Sequence, residues 1–200
     1  MKPENTSHQY PHSTNYRYQL LFLVILLTSA LCLPIASYGK DELSYISPRP
    51  LKEPLSTPKW FKLSFLDLKD DLNDAREAGK KGLIVIFAQK YCPYCKAHYK
   101  NNWTRGKNYE TTRKYFEVIS IDVQGDRPVT GLDGKITSEK EYATKLNALF
   151  TPTFFFYDLE GKITLRFTGY YPPAKFSSAL QYVISNQYKN QDFRAYLSRQ

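Results

Sequence analysis

Apolar and polar residues alternate after residue 60 in patterns that predict successive helices and strands. Apolar residues recur near a helical period over 65–78 and stop before Gly79, which predicts a helix with a C-terminal glycine. The continuous apolar run Leu83–Ala88 predicts a strand buried on both faces. A helix extending to about Trp103 is expected to follow it.

The same patterns predict the remaining elements: a short helix around 109–114, a strand at 116–123, a loop at 125–134, a helix from Ser138 to about Leu149, a hairpin of strands 154–157 and 162–167, a helix from Ala174 to about Tyr188 and a short helix in the tail. Ser138 and Glu141 form a capping box at the start of their helix. This order predicts an α/β fold in which a central mixed β-sheet is flanked by helices on both faces.

Cys92-Pro93-Tyr94-Cys95 lies where the buried strand gives way to the next helix. A strand that delivers a Cys-x-x-Cys pair to a helix N-terminus is typical of a dithiol/disulfide redox site. Pro93 suits the first helical position, which puts Cys92 at the N-cap, where unpaired N–H groups and the helix dipole favour a thiolate. Cys95, one turn later, is placed to resolve a mixed disulfide.

Two other interpretations of the cysteine pair are weaker. A structural zinc site needs two more ligands, whereas beyond the pair only Cys32, in an apolar N-terminal stretch, and His98 are suitable. A purely structural disulfide would close a very short loop and gain little loop-closure entropy. We therefore expect no metal.

Thr151-Pro152 directly precedes a predicted buried strand, where a trans proline would fit poorly. A cis bond costs only about 0.5–1 kcal/mol and would let the backbone at Thr151 lie against the cysteine pair and bind an extended substrate. An ordinary loop proline is the alternative.

The N-terminal 39 residues resemble an export signal, because basic Lys2 and Arg17 precede an almost wholly apolar run from Leu20 to Leu33. This run is short for a spanning helix of about 20 residues, but it can be extended to Ala36. We expect residues 1–39 to be a cleaved signal peptide or an N-terminal membrane anchor formed by residues 20–36. Either would place the protein in the periplasm or another extracytoplasmic space.

Residues 40–59 contain four prolines and few apolar residues, so they are predicted to form an extended linker to a domain over 60–200. The chain carries a net charge of +9. Such charge can favour acidic partners or a membrane surface, but no dense Lys/Arg cluster indicates nucleic acid. Lys90, Lys96 and His98 are candidates for positive potential near Cys92, or simply solvent-facing residues.

The apolar strand, the cysteine motif, Thr151-Pro152, the turn at 158–161 and Gly169 together resemble the thioredoxin superfamily, over roughly Trp60 to Tyr188. The resemblance implies that Cys92 is an exposed nucleophile, that Cys95 resolves and that Pro152 is cis. It also implies that Pro93, Tyr94, Thr151 and Pro152 contact the substrate. One departure is Ile86, where cytoplasmic thioredoxins have a buried Asp; Val118 replaces the Lys that pairs with it.

Four stretches more narrowly resemble exported thioredoxins of the SoxW type, at 91–96, 122–126, 151–153 and 166–183. This resemblance implies a reductase that keeps a cysteine of a protein partner reduced outside the cytoplasm. Its electrons would come from a membrane donor of the DsbD or CcdA type. We expect a monomer without a cofactor.

Three hypotheses for function remain open. In the first, the chain is a thiol–disulfide reductase of a specific protein partner, and in the second the same dithiol acts as an oxidant that installs disulfides. In the third, the scaffold is a redox-silent binding module.

Overall fold

A computed structural model describes residues 46–200, so the predicted signal or anchor segment lies outside the described residues. In chain order the helices and strands are α1 Leu68–Glu77, β1 Gly82–Ala88, α2 Pro93–Asn102, α3 Lys107–Tyr115, β2 Phe116–Asp122, β3 Pro128–Thr130, β4 Ile136–Ser138, α4 Glu139–Lys145, β5 Thr153–Asp158, β6 Ile163–Thr168, α5 Pro173–Ile184 and α6 Phe193–Leu197, with a 3₁₀ turn at Gln187–Lys189. The strands of the main sheet and the helices around them occur in the predicted order, and the α/β fold is confirmed.

The main sheet has the strand order β2-β1-β5-β6. Strand β1 runs parallel to β2 and antiparallel to β5, and β5 and β6 form the predicted hairpin. Strand β1 is therefore central, with both edges hydrogen-bonded. Its C-terminal end lies beside the start of β5, because Phe87 pairs with Thr153.

Two apolar layers cover the two faces of the sheet. Ile84 and Ile86 of β1 pack in the layer formed with α2 and α5. Leu83, Val85 and Phe87 pack in the opposite layer with α1 and α4. Every residue of β1 is buried, as the continuous apolar run predicted.

Two predicted helices are longer than the helices found. Helix α1 begins only at Leu68, because the Asp67 side chain caps it by accepting N–H groups of Lys69 and Asp70. Helix α4 has the predicted capping box but ends at Lys145 rather than near Leu149. The chain leaves this helix through Asn147, which adopts a left-handed conformation with φ 53°.

The predicted loop at 125–134 is partly wrong, since it contains β3 and leads into β4, which pair as a small separate hairpin. Each strand has only three residues, too few to show an apolar alternation in the sequence. The hairpin is held to the domain by Glu139, which is buried and forms a 2.7 Å ion pair with Arg127. The Glu139 carboxylate also accepts a hydrogen bond from the backbone N–H of Asp122 at 2.9 Å, which ties the hairpin to the end of β2.

Candidate active site

Cys92 and Cys95 form a disulfide at the start of α2, with their Cα atoms 5.3 Å apart. Cys92 is the N-cap and Pro93 the first helical residue, as the sequence predicted. The Cys92 sulfur accepts the backbone N–H of Cys95 at 3.0 Å. The helix N-terminus thus directs an N–H donor at this sulfur, an arrangement that stabilises a thiolate when the disulfide is open.

The expectation that Cys92 is exposed is wrong for this disulfide state. Cys92 is 1% exposed and Cys95 0% exposed, and both belong to the apolar layer under α2. The sulfur of Cys92 is turned back toward the helix N-terminus, where it accepts its hydrogen bond. Chemistry at Cys92 therefore requires the surroundings of this residue to open.

The Thr151–Pro152 bond is cis, which is the first of the two alternatives the sequence left open. Pro152 is buried, and its carbonyl accepts the N–H of Gly169 at 2.7 Å. Because Phe87 pairs with Thr153, this loop lies at the same end of the sheet as the residues that lead into Cys92. The structure thereby brings Thr151 and Pro152 to the sheet end that carries the cysteine pair.

Exposed aromatic and aliphatic side chains occur on both segments that meet at this end of the sheet. Tyr91 and Tyr94 flank Cys92 and are 47% and 38% exposed. Leu149 and Phe150, just before the cis bond, are 55% and 78% exposed. Sequence reasoning placed Leu149 in a helix and gave Phe150 no role. The usable signal was their position directly before Thr151-Pro152.

A strap of residues 51–58, part of the predicted linker, is docked on the domain beside the redox loop. The N–H of Leu51 donates to the Tyr91 carbonyl at 3.0 Å, and the N–H of Leu55 donates to the Lys90 carbonyl at 2.6 Å. The Leu55 side chain packs against the apolar layer that contains both cysteines. The strap thus holds the two carbonyls that immediately precede Cys92.

The strap continues along the helix face that carries Cys92. A cleft separates the strap from α2. It is lined on the strap side by Leu55, Ser56 and Pro58, and on the helix side by Lys96, Tyr99 and the C-cap residue Trp103. These residues follow Cys92 at intervals of four, seven and eleven positions, so they share its face of the helix. The strap therefore lies along the helix face that carries Cys92, a position from which it can limit access to this residue.

Of the three candidates for positive potential near Cys92, Lys90 and Lys96 are exposed, whereas His98 is fully buried. Burial lowers the pKa of His98 from 6.5 to about 3. The imidazole is therefore neutral at physiological pH, and the expectation that it adds positive charge is wrong. The residue pattern did not indicate this burial, because the helix residues around His98 are largely polar.

Within residues 46–200, no three His, Cys, Asp or Glu side chains are grouped closely enough to bind a metal ion. None of the helices in that range is both long and apolar enough to span a bilayer.

A family model described as a thioredoxin-like domain matches residues 68–184, which is more than half of the chain. A thioredoxin-fold protein from Helicobacter pylori is similar in structure, with a TM-score of 0.51 and 19% identity over 60% of this chain and 84% of that chain. A thioredoxin from Thermus thermophilus has a TM-score of 0.46 and 24% identity, over 59% of this chain and 84% of that chain. The DsbH oxidoreductase has a TM-score of 0.45 and 15% identity, over 66% of this chain and 91% of that chain.

The likeness to the Helicobacter pylori structure supports the fold alone, because its identity is low. No curated protein sequence matches the chain.

Leu55→Asp is expected to release the strap, because a carboxylate is costly to bury against apolar side chains. The two backbone hydrogen bonds contribute about 0.5–1.5 kcal/mol each, so dithiothreitol should reduce the Cys92–Cys95 disulfide roughly tenfold faster in the variant. The rate is followed by quenched alkylation and mass spectrometry. Lys52→Asp, at an exposed strap position, is the control and should react like the parent. Equal rates in all three proteins would show that the strap does not limit access.

The buried neutral His98 predicts a loss of stability in acid. The unfolded chain binds a proton at His98 near pH 6.5, whereas the folded chain does so only near pH 3. The stability that the neutral His98 contributes is therefore complete above pH 6.5 and falls as the pH drops toward 3. Between about pH 7.5 and 4.5 the parent should lose roughly 2–3 kcal/mol more stability than His98→Phe in urea unfolding. Parallel losses would contradict the assignment.

Proposed function

Because the chain belongs to the thioredoxin-like domain family, we propose that it is a thiol–disulfide oxidoreductase that reduces a disulfide in a protein partner. One observation carries the proposal. The Cys92–Cys95 disulfide lies at the N-terminus of α2, at the end of the central strand and at the same sheet end as the cis Thr151–Pro152 bond. A redox-silent binding module would not need a sulfur at a position where the helix favours its thiolate.

In the reaction, the Cys92 thiolate attacks one sulfur of the partner disulfide, and the other partner sulfur leaves as a thiolate that takes up a proton. The Cys95 thiol then loses its proton, and its thiolate attacks the Cys92 sulfur of the mixed disulfide. The bond between Cys92 and the partner breaks, and the second partner thiol is released. The partner gains two electrons and two protons, and this chain ends as the disulfide seen in the structure.

The partner surface is formed by the exposed side chains Tyr91, Tyr94, Leu149 and Phe150 on the two sides of the cysteine pair. Exposed apolar side chains grouped around a reactive group favour a polypeptide substrate, which can bury them. The backbone at Thr151 is the candidate for pairing with an extended segment of that partner, and Pro93 and Tyr94 are candidates for contacting it.

Location and electron supply belong to the same proposal. The apolar run at 20–36 supports export, with the segment either cleaved or kept as an anchor. Because an oxidising compartment does not keep a dithiol reduced, a reductase there needs an electron source, and a membrane donor of the DsbD or CcdA type would supply it. The SoxW-type resemblance of the cysteine segment supports this assignment.

The roles of the two cysteines are tested by single substitutions in a Cys32→Ser background, which removes the third cysteine. Cys92→Ser should abolish reduction of a protein disulfide, because it removes the attacking sulfur. Cys95→Ser should accumulate a mixed disulfide with the partner, which can be isolated from an extract of the source cells and identified. Full activity of Cys92→Ser would refute the proposal.

The direction of electron flow is tested by the reduction potential of the Cys92–Cys95 couple against glutathione. A reductase should have a reduction potential of about −270 mV, the value typical of thioredoxin. A disulfide-forming oxidant has a reduction potential of about −120 mV. The potential is measured from the fraction of alkylated cysteines at fixed ratios of reduced to oxidised glutathione. A value at the oxidising end would assign the chain to the second hypothesis.

A further inference from the structure

A buried nitrogen under the redox helix has no hydrogen-bond partner among residues 46–200. His98 is 0% exposed, and no described residue pairs with its Nε2 atom in the disulfide state. Its ring packs against Trp103, Phe154 and Phe176, with centroid distances of 4.7, 4.5 and 4.6 Å. A buried polar atom without a partner costs about 1–3 kcal/mol, so its presence here calls for a partner in another state of the protein.

The tautomer of His98 follows from its neighbours. Asn108 Nδ2 donates to the Pro173 carbonyl and to Asn102 Oδ1, both at 2.9 Å, which fixes the orientation of both amides. Asn102 Nδ2 then donates to the Tyr171 carbonyl at 3.0 Å and faces His98 Nδ1 at 3.3 Å. Because Nδ1 accepts a hydrogen bond, the single proton of the neutral ring lies on Nε2. The unpaired atom is therefore an N–H donor.

Cys95 is the reactive group nearest to this donor along the helix. It lies three positions before His98, and both side chains are fully buried on the same face of α2. Residues three apart are neighbours on a helix surface, and helical side chains lean toward the preceding turn. In the disulfide the Cys95 sulfur is bonded to Cys92, and reduction frees this side chain to take another rotamer.

No carboxylate competes for this role among the described residues of the layer under α2. The buried acids Asp71 and Glu139 belong to α1 and α4 on the opposite side of the sheet, where they form ion pairs. On the same side, the ring of Tyr170 lies 6.4 Å from that of His98, and its hydroxyl accepts a hydrogen bond from Asn101. Burial raises the pKa of Tyr99 to about 12, so this residue stays uncharged.

We propose that His98 Nε2–H donates a hydrogen bond to the Cys95 sulfur after the disulfide opens, which stabilises the thiolate that resolves the mixed disulfide. This inference rests on the proposed redox activity of the pair. His98 keeps its own proton throughout. The Cys95 proton passes to water or to the leaving partner thiolate, and the Cys95 thiolate attacks the Cys92 sulfur as described above.

A spectroscopic test uses the unmodified chain, labelled with ¹⁵N at histidine. In both redox states the His98 ring should carry its proton on Nε2. In the dithiol state the Nε2–H resonance should move downfield, and the shift should follow the ionisation of the thiol as the pH rises. A proton on Nδ1, or an Nε2–H signal that is the same in both redox states at every pH, would overturn the proposal.

A second test measures alkylation of Cys95 by iodoacetamide as a function of pH in a Cys32→Ser, Cys92→Ser background. His98→Phe keeps an aromatic ring without a donor, so the pH midpoint should rise by about one unit and the rate near neutral pH should fall about tenfold. His98→Gln keeps a donor and should restore most of the rate.

The matched control is Thr112→Val, which removes a buried hydroxyl that accepts the Trp103 indole N–H at 3.0 Å and donates to the Asn108 carbonyl at 2.7 Å, while the His98 ring and the amide hydrogen bonds that orient it are kept. It should lower stability but leave the alkylation midpoint unchanged. A midpoint that is unchanged in His98→Phe, or shifted equally by Thr112→Val, would assign His98 to packing alone. Neither measurement needs a partner protein, so failure here is distinct from failure to trap a mixed disulfide.

Discussion

Burial of β1 on both faces is the constraint on which the redox site depends. Both edges of this strand are paired, and all its side chains lie in one of the two apolar layers, so its C-terminal end is fixed in position and direction. Four residues after the end of β1 comes Cys92, the N-cap of α2. A reactive sulfur at a helix N-terminus needs this rigidity, because the field of the helix acts only over about its first turn.

Access and reactivity are separated in this molecule. The helix N-terminus favours a thiolate at Cys92, yet the residue is buried in the disulfide state, and the strap binds the two carbonyls that precede it. Pro54 and Pro58 lack N–H donors and keep the strap extended, so it docks with little loss of entropy and few hydrogen bonds. A segment held in this way can be displaced by a partner at low energetic cost.

The hydrophobic pattern predicts the core of the fold, because a helix or strand buried on one face has apolar residues at a regular spacing and one buried on both faces has a continuous apolar run. It therefore found β1 and the hairpin of β5 and β6, whereas the cysteine motif and cap chemistry placed α2 and its N-cap Cys92. The cis state of Pro152 could not be decided, since the two isomers differ by only about 0.5–1 kcal/mol and tertiary contacts select one. The strap was also missed, because its isolated anchors Leu51 and Leu55 form no period.

The buried polar residues of α2 explain why the amphipathic pattern is weak in this helix, which carries the cysteine pair. Asn102 and His98 occupy buried positions that an apolar side chain would fill at lower cost. Asn102 reaches the Tyr171 carbonyl, and the loop that contains Tyr171 is in turn tied to the cis-proline loop through Gly169 and Pro152. The network therefore connects the redox helix, through the loop that contains Tyr171, to the cis-proline loop, which carries Leu149 and Phe150 of the proposed partner surface. Apolar packing would stabilise this layer more but would not fix the loops at particular atoms, because it is not directional.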